Sequence, residues 1–72
     1  MDEHELQDAL KTLLEEIAFM DEEDREDAGL GDDLADVKHI RTFDEEGVLT
    51  NSAGLVITTT DGEFQLTIVR SR

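Results

Sequence analysis

Residues 54–70 read GLVITTTDGEFQLTIVR. Two runs rich in β-branched and aromatic residues flank Asp61-Gly62, and that dipeptide is a strong local signal for a β-hairpin with a two-residue turn. Such a loop sets the register by geometry, pairing Thr60 with Glu63, Thr59 with Phe64, Ile57 with Leu66 and Leu55 with Ile68. Side chains alternate across a strand. Leu55, Ile57, Thr59, Phe64, Leu66 and Ile68 therefore share one face, and Val56, Thr58, Thr60, Glu63, Gln65, Thr67 and Val69 share the other. The first face is apolar and the second is mostly hydroxyls and amides. A sheet with one face on a core and one toward water is expected, and a slip of one residue would exchange the two faces.

A lone hairpin is rarely stable, which points to a third strand upstream. Residues 37–43, VKHIRTF, supply it as a strand of mixed faces. A competing reading has Asp32 and Asp33 capping a short helix that carries Leu34, Val37 and Ile40; the strand is favoured because the hairpin wants a partner. Asp44-Glu45-Glu46-Gly47 and Asn51-Ser52-Ala53-Gly54 have turn chemistry, with Val48-Leu49 between them.

What covers the apolar face lies at the other end of the chain. Asp2 with Glu5 three residues later resembles a capping box at a helix start. Leu6, Leu10, Leu13, Ile17 and Met20 then recur at helical spacing, widened by Ala9, Leu14 and Ala18. The pattern predicts a helix from about residue 3 to residue 20, with Glu3, His4, Gln7, Asp8, Lys11 and Glu15 on the opposite side. Leu13 and Ile17 fall near the middle of the predicted buried stripe. The stripe is too short for a coiled coil, so a core-facing helix is the reading. Residues 21–27, DEEDRED, either extend that helix or form a solvated loop, and Ala28-Gly29-Leu30-Gly31 is a stop signal with Gly available for a left-handed cap. The expected fold class is α+β: an N-terminal amphipathic helix on one face of a small, about three-stranded antiparallel sheet, in the order α-β-β-β, as one domain over residues 1–72.

Charge divides this domain in two. Residues 1–36 hold fifteen acids and two bases, a net of −13, whereas residues 37–72 hold five acids and four bases, a net of −1. A surface of this sign repels phosphates and anionic lipid headgroups, so neither direct nucleic-acid binding nor membrane binding is expected. The start Met1-Asp2-Glu3 lacks the basic and apolar segments of a secretory signal, and no apolar run is long enough to span a bilayer. With no cysteine in the chain, the expectation is a cytoplasmic protein.

Catalytic parts are missing. There is no cysteine nucleophile, Ser52 and Ser71 lack a nucleophile-elbow context, and His4 and His39 belong to separate elements. DEEDREDAG and DDLAD both miss the alternating oxygen ligands and central Gly of a calcium loop. No enzyme, cofactor or metal site is expected.

The acids themselves are the candidate site: Glu15, Glu16, Asp21, Glu22, Glu23, Asp24, Glu26 and Asp27. If residues 2–27 formed one helix, their twelve acids would be spaced at about one charge per 3.3 Å, close to the phosphate spacing of a single DNA strand. The stretch DEEGVLTNSAGLVITTTDGEFQLTIVRSR resembles the tails of small proteins of phages and other mobile elements, and the chain's small, cysteine-free, acidic character is similar to inhibitors that imitate DNA. That resemblance lies in composition and transfers no residue role. The charge spacing points to an inhibitor or regulator docking its acidic face on the basic groove of a protein partner, such as a nucleic-acid-binding protein in a host cytoplasm. A different class of function is a structural or assembly subunit, whose interface is the sheet's outer face or an edge strand and whose acidity is solubilising. A homodimer through that edge or face, with Val56 and Val69 in contact, belongs to this second class. Adaptation to high salt would also favour acids, but it would not leave half of the chain nearly neutral.

Overall fold

The computed structural model describes residues 1–29, 31 and 33–72. The chain is an α+β fold with six elements among the described residues: α1 (Glu3–Ala18), α2 (Glu22–Asp27), β1 (Val37–Thr42), α3 (Phe43–Glu46), β2 (Ala53–Thr59) and β3 (Glu63–Ile68). The strands form one antiparallel sheet in the order β1-β2-β3, and α1 lies across it in the expected α-β-β-β arrangement. Residues 37–40 are strand, so the competing helix over Leu34, Val37 and Ile40 does not form; the capping role considered for Asp32 lies outside the described residues.

Helix α1 begins at a full capping box. The Glu5 amide donates to Asp2 Oδ1 at 2.8 Å, and the Asp2 amide donates to Glu5 Oε1 at 3.3 Å. It ends at Ala18, two residues sooner than the pattern predicts, with Phe19 as its C-cap. The face it presents to the sheet also differs from the expected stripe. Leu10, Leu14 and Ala18 pack toward Val37, Ile40, Leu55 and Ile57, while Leu6 is exposed and Leu13 is 52% exposed. Gln7, predicted to face solvent, is only 5% exposed. The helix is thus turned by about one residue position, roughly 100°. The reason is polar: Gln7 Oε1 accepts the buried Gly54 amide at 2.9 Å, just beyond the last β1–β2 pair, Thr42 with Leu55. A buried amide there needs an acceptor, and the wide apolar stripe lets the helix turn without losing its core contacts.

The hairpin register is corrected by two residues. Thr58 pairs with Glu63, Ile57 with Phe64, Leu55 with Leu66 and Ala53 with Ile68. Neither Asp61 nor Gly62 has the positive φ that a type I′ turn demands at both central positions. Instead the three residues 60–62 join the strands. Thr59 donates its amide to Gly62 O at 2.7 Å, and Thr60 donates its amide and its hydroxyl to Asp36 O, before β1. Because the offset is two residues, the faces are kept: Leu55, Ile57, Phe64, Leu66 and Ile68 still share the α1 side.

Strand β1 joins this sheet with an irregularity between Val37 and His39. A bulge there lets both Val37 and Ile40, three residues apart, point at the core. At the far end of β1, Thr42 and Glu45 form a second capping box and Gly47 ends α3 at φ 75°. This one-turn helix replaces the plain turn expected from Asp44-Glu45-Glu46-Gly47. It sets the Phe43 ring on the outer sheet face, directly over Gly54, where there is no room for a Cβ. Val56, two residues on and on the same face, is 1% exposed.

Candidate interaction surfaces

The two halves of the acidic segment are held apart. A single helix over residues 2–27 does not form, because α1 stops at Ala18 and Asp21 is extended (φ −62°, ψ 150°) before α2 starts. Arg25 accounts for the break. Its side chain is 8% exposed and donates to Ala18 O at 3.4 Å and Met20 O at 3.0 Å, satisfying carbonyls that the end of α1 leaves without helical partners. Being the only Lys or Arg between Lys11 and Lys38, it is built into the fold at the place where the run is most acidic.

Around it, Asp21, Glu22, Glu23, Asp24, Glu26 and Asp27 are all exposed. Glu15 and Glu16 lie on the other side of the break, on α1, where Glu15 forms an i,i+4 ion pair with Lys11 at 3.4 Å and Glu16 is exposed. The eight predicted residues therefore form a knot of six on α2 and its leading residue, with two more on α1. They do not form a line at constant spacing.

Of the remaining carboxylates among the described residues, two have perturbed acidity. Donation from the Glu5 amide holds the Asp2 carboxyl below its ordinary value, and donation from the Thr42 amide does the same for Glu45. Both serve caps rather than chemistry. His4 is exposed on α1, and His39 is half-buried on β1 opposite Thr58. Among the described residues, no three His, Cys, Asp or Glu side chains are grouped to hold a metal ion, and no helix is long and apolar enough to cross a membrane.

A second surface was hidden from the sequence by the misplaced helix stripe. Since α1 packs on β1 and β2, the α1 side of β3 is left open, with Phe64 60% and Leu66 41% exposed. One end of this strip is a cleft where Leu6 meets Ile68 and Val69; at the other, Phe64 borders a cleft with Leu34 and Ile57. Leu13, seven residues beyond Leu6, lies on the same flank of the helix. The outer face is different: Val56, considered as a dimer contact, is buried within the chain.

No protein-family model, curated protein or solved structure is detectably similar to this chain. The likeness of residues 44–72 to mobile-element proteins accordingly gains no relative from these comparisons.

Proposed function

We propose that this protein is a cytoplasmic binding module without catalytic activity, which presents its acid-rich α2 end to a basic surface of a partner protein. One observation carries the reading. Six acidic side chains within residues 21–27 are exposed together, and the single base among them is turned inward to the end of α1. A basic groove that otherwise takes DNA or RNA is such a surface, and occupying it would make the protein an inhibitor of that partner. Because the acids form a compact knot, the imitation of nucleic acid extends over a few phosphates and not along a strand. Binding of this kind is rapid at low ionic strength and weakens as salt screens the charges.

The test is affinity capture from cell lysate at low and high salt, with duplex DNA as competitor. Wild type should retain a partner that salt releases and DNA displaces, and the E22Q/E23Q/E26Q variant should lose it. A partner that survives both high salt and the substitutions would overturn the reading. An assembly role draws on a separate observation, the uncovered apolar strip over β3, and it predicts contacts of that resistant kind.

A further inference from the structure

We infer that β3 is a homodimer interface, two copies pairing antiparallel along this strand about a two-fold axis at Leu66. The two edges of the sheet differ in how they meet solvent. At the β1 edge the ladder is interrupted between Val37 and His39, and Lys38 and Arg41 are exposed there. Bulges and edge cations are devices that discourage strand addition. At the β3 edge, the run from Glu63 to Ile68 is regularly paired with β2, without a bulge, and contains no Pro, Lys or Arg. Its outer backbone groups are a template for another strand.

The charges select which strand. Asp61 and Glu63 precede the apolar residues of β3, and Arg70 and Arg72 follow them. These arginines are two of only six bases in a chain with twenty acids; Arg70 Nε donates to the main-chain oxygen of Arg72, and neither arginine lies within 4 Å of an acidic side chain among the described residues. A strand with an acidic start and a basic end complements a second copy of itself only when the copy runs antiparallel, which brings the acidic end, residues 61–63, alongside the partner's basic end, residues 70–72. A parallel copy would set like charges together.

The side chains select the register. With Leu66 opposite the partner's Leu66, Phe64 meets the partner's Ile68 and Gln65 meets the partner's Thr67. Every apolar residue then stays on the α1 side, and directly opposed pairs of this type stabilise a sheet. A slip of one residue would set apolar side chains against polar ones. The product is a six-stranded sheet with both α1 helices on one face. Between them runs an apolar floor of Phe64, Leu66 and Ile68 from each copy, walled by Leu6 and Leu13. This interface is independent of the acidic α2 end, so E22Q/E23Q/E26Q should leave it intact, and the two ideas can fail separately.

Sedimentation equilibrium over a concentration series should give twice the chain mass of 8.1 kDa. The variants R70E/R72E and D61K/E63K should each be monomeric, with circular dichroism reporting an unchanged fold, and mixing them should restore a dimer. The chain has no cysteine of its own, and directly opposed strand residues lie about 4.5–5.5 Å apart at Cα, within disulfide reach. A Leu66→Cys variant should therefore cross-link on oxidation, whereas Lys38→Cys at the opposite edge should not. A monomer at every concentration would overturn the proposal. So would a dimer that survives both charge variants and does not cross-link through position 66.

Discussion

Gln7 is the residue that sets how the helix meets the sheet. On a helical wheel it belongs with the acids, yet its amide oxygen is the acceptor for Gly54, and that one bond turns α1 toward Leu14 and Ala18. Gln7→Ala should cost about 1–3 kcal/mol, the penalty of leaving a buried amide without a partner, and chemical denaturation would measure it. Gly54 is constrained on its other side, where Phe43 covers it. Gly54→Ala should destabilise by about 1–3 kcal/mol through overpacking against the Phe43 ring and the Leu66 carbonyl, and combining it with Phe43→Leu should relieve only the first of these clashes, leaving most of the loss. Neither role is visible in the sequence. A buried glutamine looks like any surface glutamine until its acceptor is known, and the acceptor lies 47 residues away. The glycine's need was hidden similarly, since a ring from a neighbouring turn and the Leu66 carbonyl, not a positive φ, demand it.

Elements were legible where short-range chemistry alone decides them. The Asp2–Glu5 box starts α1, and the β-branched runs on either side of Asp61-Gly62 make β2 and β3. What the sequence could not fix is how elements are turned or slid against one another. Asp61-Gly62 invites a two-residue turn, but the hydrogen bonds from Thr60 to Asp36 O hold the chain in a longer one. Likewise the leucine stripe is wide enough for two orientations of α1, and only the sheet chooses. Leu14→Ala should therefore cost about 2–5 kcal/mol, while Leu13→Ala, whose side chain is half in water, should cost clearly less. Comparing the two melting midpoints checks the orientation directly; equal losses would contradict it. The caps respond to pH. Since the folded-state acidity of Asp2 and Glu45 is held below the ordinary carboxylate value, their stabilisation is complete above that value and disappears as pH falls through the lowered one. The stability gap between wild type and Asp2→Ala should accordingly shrink in acid, as read by thermal melts followed by circular dichroism across pH.

At the scale of the whole molecule the chain has two surfaces of opposite character. The α2 end is charged, and its contacts should weaken with salt; the β3 side is apolar, and its contacts should persist. The acids of residues 21–27 are exposed on α2 and just before it, whereas the three strands carry two bases and one acid. The apolar strip was not foreseen, because a leucine counted as core in a helical pattern cannot also be counted as surface. Replacing Phe64 and Leu66 with Thr should leave each chain folded by circular dichroism, since both side chains are substantially exposed, while abolishing the two-chain species in sedimentation. The unequal edges of the sheet carry one last implication. Each copy has a single receptive border, because the interrupted ladder and cations at β1 turn the other away. Joining two copies consumes both receptive borders, so growth terminates at a closed pair, and a protein with so bare a strand is protected from stacking into fibres.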